Sequence, residues 1–149
     1  MRVIFAADHR GFALKCYLLA AARALGYETE DVGTFDEASC DYTDYGRKAA
    51  EAVARGDAER AVLICGTGIG MSILANKVPG IRASLCATAY AARLTRLHND
   101  ANVLCLSGDE TGARYAREIM ATWLATVFEA GRHERRLEKI RAVENDYGK

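Results

Sequence analysis

The chain has 149 residues, half of them hydrophobic and 27% charged, with 20 Lys and Arg balanced by 20 Asp and Glu. That is enough chain for one soluble domain with a full core. The neutral balance argues against nucleic acid or a membrane surface as partner, and no apolar run approaches the roughly 20 residues of a membrane span. Strand and helix patterns then alternate. Arg2–Ala7 reads as a strand, and its immediate start leaves no room for a signal peptide. A helix over about Gly11–Leu25 stops at Gly26. Tyr27–Val32 is a second strand, followed by a helix over Tyr42–Arg55 that ends at Gly56. Ala61–Ile64 is a third strand, with a helix from about Gly68 to Lys77 closed by Pro79-Gly80. Arg82–Cys86 is a fourth strand, followed by a helix to about Leu97. Ala101–Leu106 is a fifth strand, Thr111–Phe128 a long helix, and Gly131–Glu144 a final amphipathic helix.

Five β-α repeats predict a single α/β domain over residues 1–149. Its fold class is a three-layer α/β/α sandwich, with a Rossmann-like parallel five-stranded sheet and an extra C-terminal helix. Ligands of such sheets bind beyond the carboxyl ends of the strands. Asp8-His9, Cys65 to Gly70 and Ser107-Gly108 fall there. His98-Asn99 lies just before the fifth strand, and its edge is left open.

The stretch Ile64-Cys65-Gly66-Thr67-Gly68-Ile69-Gly70-Met71 carries the chemistry. Alternating glycines let the backbone turn tightly and aim several N–H groups at one point, a nest for a negatively charged oxygen. It is not a dinucleotide fingerprint, because Met71 stands where a small residue is needed and no acid occurs from Ala61 through Asn99. It is not a Walker loop either, since G-K-[ST] is absent. The charges of that segment (Lys77, Arg82, Arg93, Arg96) are all positive and favour an anionic ligand. Five scattered cysteines without a C-x-x-C read as a reduced, cytoplasmic chain, and the three histidines lack metal-ligand spacing.

Each candidate has a plain reading beside a functional one. Cys65 is a buried strand-end thiol or, beside an N–H nest that favours thiolate, a base. Gly66, Gly68 and Gly70 make a tight turn or an oxyanion hole. Thr67 is a helix cap or a proton carrier between two sugar oxygens. His98 is a structural histidine or a neutral imidazole suited to proton transfer near pH 7. Asp8 is a helix cap or a ligand contact. Arg132 and Arg136, four apart on one helix face, are a solvated basic face or a grip on phosphate. Tyr42 is core or substrate contact.

Four motifs in order, Asp8-His9-Arg10-Gly11-Phe12, Cys65 to Lys77, His98-Asn99-Asp100 and Gly131-Arg132-His133 with Arg136, resemble ribose-5-phosphate isomerase B, a family grouped with the galactose-6-phosphate isomerase subunits. The resemblance spans essentially the whole chain. It implies an aldose–ketose isomerase acting on ribose 5-phosphate and ribulose 5-phosphate in the pentose phosphate pathway, without a metal or cofactor. It implies Cys65 as the base at carbon 2, Thr67 as proton carrier and His98 as the acid/base that opens the sugar ring. Substrate contacts are implied for Asp8, His9, Tyr42, Gly66, Gly68, Ile69, Gly70 and Asn99, with Arg132 and Arg136 on the phosphate. It also implies a homodimer, or a dimer of dimers, with the site at the subunit interface. Two departures bear on substrate. Thr43 replaces a proline frequent in relatives. Asp109 stands where relatives carry an arginine, so either the substrate sits differently, another arginine compensates, or the sugar is another one (an allose, galactose or four-carbon sugar phosphate). A non-catalytic sugar-phosphate-binding module on the same fold is the rival; it would not need Cys65, Thr67 and His98 together.

Overall fold

The computed structural model describes residues 1–147. Its elements are β1 (Arg2–Ala7), α1 (Phe12–Ala24), β2 (Glu28–Asp31), α2 (Tyr42–Arg55), β3 (Arg60–Cys65), α3 (Ile69–Ala75), β4 (Ala83–Leu85), α4 (Ala89–Asn99), β5 (Val103–Ser107), α5 (Ala113–Ala125), a 3-10 turn (Gly131–His133) and α6 (Glu134–Tyr147). The five strands form one sheet in the order β2-β1-β3-β5-β4. Every pair is parallel. Connections leave β1 toward one side and β3 toward the other, so the order reverses between these neighbours and leaves a crevice beyond their carboxyl ends.

Apart from Arg2, Arg60 and Ser107 at their ends, the central strands are apolar because helices cover both faces. Alternate residues of β1 show the division. Val3, Phe5 and Ala7 join Leu18 of α1, Ala92 of α4 and Trp123 of α5 in one core. Ile4 and Ala6 join Ala49 and Val53 of α2, Met71 of α3, Cys65 and Cys105 in the other. The predicted sandwich is therefore present, and most element bounds fall within two residues of expectation. Two helices depart further: α6 covers Glu134–Tyr147 instead of Gly131–Glu144, and α5, expected to run to Phe128, stops short of it. It ends at Ala125 because Arg60 donates to the carbonyls of Trp123 and Leu124 at 3.0 and 2.9 Å, and Arg96 takes the Thr126 carbonyl at 3.3 Å. These guanidinium groups take up the last orphan carbonyls, and the chain continues extended. The last element packs unlike the rest. Leu137 is the buried residue of α6, while Ile140, Val143 and Tyr147 on the same helix are exposed.

Candidate active site

Beyond the carboxyl ends of β1 and β3 the sequence builds two interlocked turns. Asp8 Oδ1 accepts the N–H groups of Arg10 and Gly11, both at 3.0 Å. One carboxylate oxygen thus fixes the turn into α1, and Oδ2 stays available. Gly11 is obligatory, since a Cβ there would meet the Ile64 carbonyl oxygen at 2.7 Å. His9 accepts the Cys40 N–H at Nδ1, at 3.3 Å. That contact places the ring's proton on Nε2 in the neutral form. The loop carrying Cys40 is tied down by Lys15. This fully buried ammonium holds Asp31 Oδ1 and the Thr34 carbonyl at 2.5 Å each.

Cys65 ends β3, only 4% exposed. Its carbonyl accepts the Gly108 N–H at 2.9 Å, and the Gly66 carbonyl accepts from Asp109 N–H and Ser107 Oγ at 3.0 and 2.7 Å. The loop's carbonyls therefore point toward β5. Its N–H groups at Gly66, Thr67, Gly68 and Gly70 donate to no acceptor among the described residues. Gly68 has φ +76°, and a Cβ there would meet the Leu106 carbonyl oxygen at 2.8 Å. Gly70 lies under the Tyr42 ring, where a Cβ would sit 2.7 Å from Cζ and 3.0 Å from the hydroxyl. Tyr42 therefore packs on the core and also closes one wall of the loop. A sulfur beneath a cluster of unpaired main-chain donors can, as thiolate, take a proton from carbon while those donors hold the oxyanion that results.

The second group of residues lies at the other edge of the sheet. His98 and Asn99 end α4, which runs from the carboxyl side of β4 back to the amino end of β5. Cys65 pairs with Ser107 at the opposite end of β5. The four residue steps of that strand alone span about 13 Å. His98 stacks on His133 with ring centroids 4.3 Å apart and planes 10° from parallel. Arg136 reaches His133 Nδ1 at 3.3 Å and Arg132 reaches Nε2 at 3.5 Å. Burial, then His98, Arg132 and Arg136, hold the His133 imidazole below its ordinary value. The segment is fastened to α4 by Glu129 N–H on the Leu97 carbonyl at 3.1 Å. Two guanidinium groups thus flank a neutral imidazole and make the cluster positively charged. Glu129 lies 3.9 and 4.0 Å from the two Nε2 atoms, completing a trio with metal-type donors. The near-parallel rings do not converge their lone pairs, and the arginines repel a cation, so an anion suits the cluster better.

A family model described as ribose/galactose isomerase matches residues 3–140. The chain belongs to that family. Ribose-5-phosphate isomerase B of Escherichia coli K12 is 43% identical over 143 residues, 96% of either chain. The structure of ribose-5-phosphate isomerase B from Clostridium thermocellum superposes with TM-score 0.97 at 46% identity, covering 99% of this chain and 100% of that one. A 4-deoxy-4-sulfo-D-erythrose isomerase from Clostridium sp. strain MSTE9 is 38% identical, across 99% of this chain and 94% of its own.

Within this family member the carboxyl edge gathers Asp8, His9, Tyr42, Cys65, Gly66, Thr67, Gly68, Ile69 and Gly70. It does not gather His98, Asn99, Arg132 or Arg136. Three local expectations need correction. Thr67 is not the cap residue of α3; Gly68 is, because glycine adopts φ +76° without steric cost, while Thr67 Oγ1 accepts the Ile69 N–H at 3.3 Å. His98 is in the last turn of α4 rather than beyond a helix ending near Leu97, since Asp100 at φ 45° ends α4 after Asn99. Arg132 and Arg136 do not share one α-helix face: Arg132 belongs to the 3-10 turn, and the two meet at His133 instead. His133 itself was missed as a site residue, and its signal was its place between two arginines.

Proposed function

We propose that the chain is an aldose–ketose isomerase interconverting D-ribose 5-phosphate and D-ribulose 5-phosphate through an enediolate. The observation that carries this is Cys65, buried at the end of β3 beside the unpaired N–H groups of the glycine loop. Cys65 as thiolate takes the carbon-2 proton of the open-chain aldose. Negative charge moves onto the carbonyl oxygen, where the N–H groups of Gly66, Gly68 and Gly70 stabilise it. Thr67, with its hydroxyl proton still free to donate, carries a proton between O1 and O2, and Cys65 returns its proton to carbon 1. Asp8 Oδ2, His9 and Tyr42 face the sugar hydroxyls, with Ile69 as apolar floor. Side chains and main chain supply every step, without a metal or cofactor.

The His98 group completes the site from a second copy of the chain. His98 opens the sugar ring, Asn99 holds a sugar oxygen, and Arg132 with Arg136 grips the phosphate. Two features support a homodimer. The two edges cannot meet within one chain, and α6 leaves Ile140, Val143 and Tyr147 exposed beside a groove of about 600 Å³ that Ile81, Arg82 and Asn99 also line. An amphipathic helix with an uncovered stripe fits an isologous contact. Five free cysteines support a cytoplasmic place in the pentose phosphate pathway.

The test is ketose formation from ribose 5-phosphate, with allose, galactose and four-carbon aldose phosphates in parallel. Turnover of ribose 5-phosphate is the expected result. Turnover of another sugar alone would move the substrate, and no turnover of any would leave a binding module. Cys65→Ala lowers kcat by about 10²–10⁴-fold with substrate binding kept; loss of binding with unchanged kcat would remove Cys65 from the base role.

A further inference from the structure

Arg10 and Asp109 form a two-point ion pair on the rim of the glycine loop. Arg10 Nε donates to Asp109 Oδ1 at 3.2 Å, and a second guanidinium nitrogen meets Oδ2. The pair lies on Gly66: a Cβ there would sit 3.0 Å from Asp109 Oδ2 and 3.1 Å from Arg10 Nε. Both backbones beneath it are pinned. Asp109 donates its N–H to the Gly66 carbonyl at 3.0 Å, Arg10 donates its own to Asp8, and the Arg10 carbonyl packs against Gly108. The side chains are nevertheless 58% and 33% exposed, so a ligand in the loop can reach them.

The isomerisation steps above use neither residue, yet both act on an anion bound in the loop. Alone, Arg10 would attract any anionic group arriving at the carbon-1 end of the substrate. Alone, Asp109 would oppose the charge that the loop N–H groups are placed to stabilise. Paired, the two cancel. The opposite group, Arg132 and Arg136 around His133, has no carboxylate in a salt bridge to either arginine among the described residues.

We propose that the Arg10–Asp109 pair is a specificity filter, keeping the carbon-1 end of the pocket for uncharged oxygens and confining anion recognition to the Arg132–Arg136 end. It therefore selects sugar phosphates with a single charged end against bisphosphates and phosphorylated sugar acids. This rests on the isomerase reading for its substrate, but not for its effect on anions.

The experiment uses the full chain as Asp109→Asn, Arg10→Gln and the double variant. Ribulose 1,5-bisphosphate is the competing probe against turnover. Asp109→Asn is expected to tighten its inhibition about fivefold relative to the monophosphate, the upper range for an exposed ion pair. Arg10→Gln weakens anion binding, and the double variant returns toward the starting protein. A pair that only clamps the loops would make both single variants lose alike, and that result, or no change in either, overturns the proposal. The rate at which iodoacetamide alkylates Cys65, with and without the bisphosphate, repeats the comparison without turnover. Should no aldose phosphate react at all, the isomerase reading falls, while alkylation protection still decides the filter.

Discussion

Mixing two inactive variants tests the division of the site between two edges. Cys65→Ala removes the proposed base at the carboxyl edge, and His98→Asn removes the proposed ring-opening group at the amino edge. Each homodimer of the proposed kind then has two broken sites. In a mixed dimer, one site combines both lesions, while the other combines an intact Cys65 with an intact His98 from the other subunit. Random reassortment of equal amounts makes about half of the dimers mixed, each with one of its two sites whole, so about a quarter of the starting activity returns. The assay is ketose formation from ribose 5-phosphate after the two proteins are denatured together and refolded. The distance argument behind the number is physical: the length of β5 separates Cys65 from His98 within one chain. If mixing restores nothing while size measurements show mixed dimers, the sites are not shared and the reasoning fails.

Other expectations follow from single contacts. Gly68→Ala places a Cβ at φ +76° against the Leu106 carbonyl, costing about 2 kcal/mol and lowering Tm by about 4–8 °C; an unchanged Tm would show that the loop relaxes freely. Ile140→Asp puts a charge in the exposed α6 stripe, and ultracentrifugation should show monomer with lost turnover. His133 is held below the ordinary imidazole value of 6.5, so the fold favours its neutral form. Its contribution is complete above that value and is lost as pH falls through it toward the lowered folded value. Urea midpoints should therefore fall on that acid side, and His133→Gln should flatten the slope there.

The alternation of apolar runs and glycine stops was legible because parallel strands covered on both faces read as unbroken hydrophobic segments. The glycine loop was legible too, since few backbones need three glycines at alternate positions after a strand. The ends of α5 and the partners of Asp109 were not. Arg60 and Arg10 act there across the sheet and across loops, and no local pattern in the sequence reports such a contact. The edge occupied by His98 was left open, although chain direction decides it: a residue before a parallel strand lies at that strand's amino end. Asp8 forms the turn into α1 with one oxygen and keeps the other free.

The fastening of Glu129 to Leu97 joins His98, His133 and both arginines into one ledge carried by α4. Under the proposed pairing, the span between the phosphate grip and the thiol is set by how two copies sit against each other, not by any side chain inside either copy. The ruler that measures the sugar is then the subunit contact itself. A small slide along that contact would change the number of carbons accepted while leaving every reacting group in place.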